Sequence, residues 1–267
     1  MSVGLLDLGH ALPQVVTATD RVTALLRSDL DGTAPVPGLA WTAAECAVHL
    51  TTTVESLVAW LDGSADPPVV GVAGIGEVNA ARIAADPERS LPVLADRLET
   101  AVGAFVELAE RHGPDHRMPW YEASGIDVGT CTGVVLGELL VHGLDLARSA
   151  GRSWPIDHPP ALSATAAGID LLPLYVDRAA AAGLSARFVL RLRRGWQVGL
   201  AFRDGDLHVE HPPAGPVDCH ISADPATYLL VAYGRTSQWP AILTGRISAW
   251  GRRPWLGLRL PGLFHRP

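Results

Sequence analysis

Lysine is absent from this chain, and each of its 21 basic residues is an arginine. With abundant alanine and glycine and eight tryptophans, this is the composition expected of a GC-rich coding sequence. Positive charge is short overall: 28 acidic residues against 21 basic ones leave a net charge of −7. A phosphate-binding surface needs the opposite bias, which argues against a nucleic acid partner. Cysteine is scarce too. Cys46, Cys131 and Cys219 show no CxxC spacing, so a secreted disulfide framework is not expected. The opening residues lack a basic segment and meet Asp7 and His10 early, unlike a signal peptide. No uninterrupted apolar run reaches the roughly 18 residues that span a bilayer. Together these absences predict a cytoplasmic protein with neither a nucleic acid nor a membrane partner.

What is present is apolar and periodic. Of the 267 residues 48% are apolar, enough for a sizeable core in one large domain or two modest ones. Helical spacing runs from about His10 to Asp29. Thr42 with Glu45 three residues on forms a capping box for a helix to about Asp62. "EVNAARIAA" reads as a short helix. Ser90 and Pro92 open a longer one that ends near His112, and another covers roughly Thr132 to Ala150. A further apolar helix is expected from Ala161 to about Ala182. Beyond Gly183 the period changes to two, and "ARFVLRLRRGWQVGLAFRDGDLHVEH" reads as three strands with turns at "RRG" and "DGD". "DCHISAD" reads as a possible fourth strand, and two short helices follow, the first capped by Asp224. The expected domains are residues 1–155, a helix bundle, and 156–267, a linking helix with a small α+β domain.

The stretch "GVVLGELLVHGLDLARSAG" poses a chemical problem. Glu138 and His142 are four residues apart, on one helix face about 6 Å apart along the axis, and Asp145 is three residues further. Leucines and valines occupy the other faces, and no cation appears before Arg148. A buried carboxylate and imidazole are costly unless paired or bound to a metal. An i,i+4 pair alone would account for Glu138 and His142. A divalent ion would account for them equally and needs a third ligand, for which His49 on the capped helix is the best candidate. Two histidines and a glutamate leave one position open, as catalytic zinc sites do. Cys46, one turn before His49, is either a fourth ligand or a small buried hydrophobe.

These segments carry a resemblance. "WTAAECAVHL" resembles the W-[ST]-x-x-[DE]-x-x-x-H-L segment of the mycothiol-dependent maleylpyruvate isomerase family. "GELLVHGLDLARSAG" is similar to that family's x-E-x-x-x-H-G-x-D-x-A-x-x-x-G helix. "DCHISADPATYLLVAYGRTS" and "ILTGRISAWGRRPW" resemble its second domain. The resemblance implies a DinB-like four-helix bundle followed by a small sterol-carrier-like α+β domain. It implies that His49, Glu138 and His142 hold a divalent metal, zinc by the family's habit. The cosubstrate it implies is mycothiol, the low-molecular-weight thiol of actinobacteria. In the isomerase reaction a thiolate adds to a cis double bond, the resulting single bond rotates, and elimination gives the trans isomer.

For the remaining candidates the resemblance implies roles and ordinary chemistry offers alternatives. Asp145 would orient a histidine N–H, or be an exposed helix acid. Arg82 would contact an anionic group, or be a solvated helix arginine. Arg235 would dock thiol or substrate, or cap the carbonyls of the preceding helix. Trp41, Trp120 and Tyr121 would wall the site, or simply fill the core. The expected activity is that of a metal-dependent, mycothiol-using isomerase or S-transferase acting on a small electrophile, as a monomer or weak homodimer. The alternative is a non-catalytic small-molecule or lipid-binding protein with a structural metal.

Overall fold

The computed structural model describes residues 4–121 and 125–265. It divides into two compact units, Leu6–Ala164 and Thr165–Pro267, with Gly4 and Leu5 belonging to the second. The division falls inside one helix, α6 (His158–Tyr175).

The first unit is a bundle of α1 (Leu8–Leu26), α2 (Ala43–Leu61), α4 (Leu91–His112) and α5 (Val128–Ser149), with the shorter α3 (Ile75–Ala85) beside α2. α1 and α2 each pack against both α4 and α5. The capping box of α2 is present: Glu45 N–H donates to Thr42 Oγ1 (3.2 Å), and Thr42 N–H donates to Glu45 Oε2 (2.8 Å). Such a cap stabilises a helix by about 1 kcal/mol. It also fixes where α2 begins, and hence the phase at which His49 faces inward. α5 starts four residues before the expected Thr132. Asp127 accepts from Thr130 N–H (2.7 Å), a cap in an apolar setting that gave no sequence signal.

By length and composition α5 could cross a membrane, an outcome the search for an uninterrupted run did not foresee. Its most apolar window is 89% buried inside the protein. A helix that is apolar on every side is the buried core of its bundle. The glycine between His142 and Leu144 belongs to this packing. A Cβ on Gly143 would lie 2.4 Å from Cζ2 of Trp154, whose other neighbour is the Arg21 guanidinium, 4.2 Å from the ring centroid. An indole cannot swing away as a flexible side chain can. Gly143→Ala is therefore expected to destabilise the bundle by about 1–3 kcal/mol, read as a lower midpoint in urea unfolding.

The second unit holds a five-stranded sheet in the order β5-β4-β3-β6-β7, with β1 (Arg117–Met118) and β2 (Ile126–Asp127) forming a separate small ribbon in the first unit. The large sheet comprises β3 (Ala186–Leu192), β4 (Gln197–Arg203), β5 (Asp206–Glu210), β6 (Cys219–Ala223) and β7 (Ile247–Trp250). β3 and β6 are parallel and the other pairs antiparallel. The alternation read from the sequence sets the inner face: Phe188, Leu190 and Leu192 lie beside Val198, Leu200 and Phe202, all buried. Positive φ at Arg194 and at Asp204 and Gly205 marks the two expected turns.

Two elements differ from the expectation. The helix expected to reach Ala182 breaks: Pro173 lies in its last turn, and a short α7 (Arg178–Ala181) starts afresh on its Asp177 cap. β7 was not foreseen, because four residues at a sheet edge are too short for a period to register. α8 (Pro225–Ala232) has the expected Asp224 cap, donated to by Thr227 N–H (3.0 Å). α9 (Gln238–Leu243) and α10 (Leu256–Arg259) complete the unit.

Candidate metal centre

α2 supplies His49, and α5 supplies Glu138 and His142. One ligand atom from each lies within 4.8 Å of the other two. His49 Nε2 is 3.2 Å and His142 Nε2 3.3 Å from the same oxygen, Oε2 of Glu138. The two imidazoles meet edge to face, with ring centroids 4.7 Å apart. Both histidines are buried, and the Glu138 side chain is 14% exposed. The bundle therefore brings His49 to a glutamate 89 positions further along the chain.

The spacing is compatible with two chemistries. Charge-assisted N–H···O contacts usually settle at about 2.7–2.9 Å. Nitrogen and oxygen ligands about 2.0–2.2 Å from a tetrahedral zinc stand about 3.3 Å from one another. The two observed separations, 3.2 and 3.3 Å, are long for the first and close to the second, and hydrogen bonding within the cluster accounts for them as well. The donor set, two imidazoles and a carboxylate, also suits a divalent cation. The three residues thus fit a divalent metal, one of the two accounts that the sequence allowed.

The surroundings of His142 define its orientation. Its Nδ1 is 3.1 Å from Oδ2 of Asp145, which is fully buried, and 3.7 Å from Sγ of Cys46. Asp145 is not the exposed helix acid that the sequence allowed. An N–H at Nδ1 donating to Asp145 leaves the lone pair on Nε2, the nitrogen facing Glu138. Cys46 lies on the Nδ1 side of this ring, so it is not a fourth member of the ligand cluster.

Burial and charge pull these groups in opposite directions. Burial holds the His49 imidazole below its usual value, more strongly than Glu138 raises it. Burial acts the same way on His142, yet Cys46, Asp145 and Glu138 outweigh it and hold that imidazole well above its usual value. Burial would raise the Glu138 carboxyl, but hydrogen bonds from His142 and His49 bring it below the ordinary range. These partners favour a second proton on His142, at Nε2 facing Glu138; a divalent cation binding there displaces it and leaves the Nδ1–H to Asp145.

Trp41 stands over the cluster, its ring centroid 4.8 Å from His49 and 6.2 Å from His142. Its carbonyl accepts from Val36 N–H (2.9 Å), which pins the loop before α2. Arg82, on α3, donates to the Tyr121 hydroxyl (3.2 Å) and lies 5.4 Å over the Trp60 ring. Its charge reaches the cluster, where it helps to lower the His49 pKa. Trp120 and Tyr121 pack against Trp60. The sequence places Trp60 on the apolar stripe of this helix, with Cys46, Leu50, Thr53 and Leu57, but gives it no part in the site; it is eleven residues after His49, three turns on and about 20° from the same helix face. Arg235 lies in the second unit, where its guanidinium donates to the Tyr233 carbonyl at the end of α8 (2.7 Å). That contact is the helix-capping role allowed by the sequence.

The family model described as mycothiol maleylpyruvate isomerase N-terminal domain matches residues 12–147. The SCP-2 sterol transfer family matches residues 171–251. Among solved structures, the crystal structure of the mycothiol-dependent maleylpyruvate isomerase is similar with a TM-score of 0.57 at 14% identity, covering 93% of this chain and 95% of that one. A histidine-to-alanine mutant of that isomerase gives a TM-score of 0.59 with the same identity and coverage. At this identity the likeness shows a shared fold. No curated protein matches the chain in sequence.

Proposed function

Because this chain belongs to the mycothiol maleylpyruvate isomerase N-terminal domain family, we propose that it is a metal-dependent, mycothiol-using enzyme acting on a small electrophile, as an isomerase or an S-transferase. The observation that carries this reading is the convergence of three ligand atoms from two helices within 4.8 Å. His49, Glu138 and His142 hold the metal, zinc by the family's habit rather than by any preference of the donor set. When bound, such an ion lowers the pKa of a thiol in its open position and so supplies a thiolate near neutral pH.

The rest of the work belongs to the chain. Asp145 holds His142 in the tautomer that presents Nε2. Trp41 excludes water from the face of both imidazoles. Arg82, steadied by Tyr121 and Trp60, offers a positive charge to an anionic group on the electrophile. Arg235 belongs to the same proposal as a docking group for thiol or substrate, supported by the family resemblance alone.

Elemental analysis of untagged protein, wild type beside His49→Ala, tests the reading. About one equivalent of metal in the wild type and little in the variant is the expected result. Thiol transfer that depends on both metal and mycothiol should follow. A wild type free of metal, in protein never exposed to chelator, would overturn the enzyme reading. It would favour a non-catalytic small-molecule binder, the reading supported by the SCP-2 match.

A further inference from the structure

The last acidic residue of the chain is Asp224. The 43 residues after it contain six arginines and no carboxylate side chain. The whole chain carries −7, so the preceding residues carry −7 − 6 = −13. The same acid-free segment holds five of the eight large apolar side chains left exposed among the described residues: Trp239, Leu243, Trp250, Trp255 and Leu258. Positive charge in excess and exposed bulky apolar surface are thus concentrated together, in a chain whose other residues carry a net negative charge.

Four of the five share a surface. Trp239 and Leu243 are four residues apart on α9, whose opposite side buries Ala241. Trp255 and Leu258 are three apart at α10, which buries Leu256 on its other side. The helices meet where Gln238 Nε2 donates to the Leu258 carbonyl (3.2 Å). Leu243 is 86% exposed, and Trp239 and Trp255 are each 57% exposed. Arginines surround them. Arg246 follows α9 and Arg259 closes α10; both are exposed, and neither makes an ion pair with a described residue. Arg193 reaches this edge through its bond to the Gly245 carbonyl (2.6 Å). Trp250 lies on the other sheet face, stacked on His220.

We infer that the α9–α10 edge, with Trp239, Leu243, Trp255 and Leu258 ringed by Arg193, Arg246 and Arg259, docks reversibly on an anionic lipid bilayer. Each residue type has a place there. Leucines enter the acyl boundary, tryptophan rings settle at the headgroup level, and guanidinium groups pair with lipid phosphates. A nucleic acid would use the arginines and indoles but would leave Leu243 and Leu258 without a partner, since aliphatic side chains offer no ring for a base to stack on. The contact is peripheral and needs no spanning helix; it departs from the sequence expectation of no membrane partner, which rested on the lack of an uninterrupted apolar run.

The test is sedimentation of the full, metal-replete chain with vesicles of phosphatidylcholine alone, or with roughly one-third phosphatidylglycerol. The wild type is expected to bind the anionic vesicles at least about tenfold more tightly than the neutral ones. Leu243→Ser with Leu258→Ser, and separately Arg246→Gln with Arg259→Gln, should each weaken that binding by about tenfold. These side chains are exposed, so unfolding is not expected, and unchanged circular dichroism checks this. Val69→Ser, equally exposed but in the first unit, should bind as the wild type does. No binding to anionic vesicles would overturn the inference. So would leucine variants that bind like the wild type. Binding to a single-stranded oligonucleotide as tight as to vesicles, lost with the arginines alone, would replace it with a polyanion site.

Discussion

Alanine in place of His142 is expected to leave the purified protein with almost no bound metal and no metal-dependent thiol chemistry. The imidazole removed has two functions. Its Nε2 completes the cluster with His49 and Glu138, and its Nδ1 is the partner of buried Asp145. Removing a group that only supports a ligand lowers metal affinity by about 10- to 100-fold. Removing the ligand itself should exceed that range, so Asp145→Asn, with the imidazole still present, sets the smaller effect on the same scale. The measurement is metal content after gel filtration, alongside competition with a chelator of known affinity. A His142→Ala protein that retains a full equivalent of metal would show that the ligand assignment is wrong.

Phe105→Ala is expected to destabilise the bundle by about 3–5 kcal/mol. Phe105 is fully buried on α4, the helix that packs against both α1 and α2. Its removal leaves a void that surrounding leucines can only partly fill. Domains of this size commonly have a net stability of about 5–15 kcal/mol, so the loss is a large share of the total. Urea unfolding, followed by far-ultraviolet circular dichroism, should show a midpoint shift with little change in slope. The metal cluster gives an internal comparison. Zinc added to the wild type should raise the unfolding midpoint, since binding favours the native state by mass action. The same addition to His142→Ala should not.

Much of the site was legible because its signals are local. The period of 3.6 placed Glu138, His142 and Asp145 on one strip, and the Thr42–Glu45 capping box fixed the start of the helix that carries His49. The turns around Arg194 and Asp204 were legible for the same reason: a few consecutive residues decide them. Other features depend on distant partners. The Asp127 cap was hidden because α5 begins among buried residues, and the break after Pro173 gave no change of composition. β7 is a strand because β6 offers it an edge, and its own four residues carry little preference.

The sequence by itself determined the class of each half, the candidate ligands and the charge imbalance, since composition and periodicity act at short range. Only the tertiary structure decided that His49 meets Glu138 across the bundle, that Cys46 approaches the Nδ1 side of His142, and that Asp145 is buried against that nitrogen. It also decided that Gly143 is required by Trp154, and that the tryptophans and leucines of α9 and α10 remain exposed beside their arginines. Each of these is a contact between residues far apart in the chain or a matter of which face is covered. Packing fixes such features, because a helix or strand specifies its own faces and leaves its neighbours to choose among them.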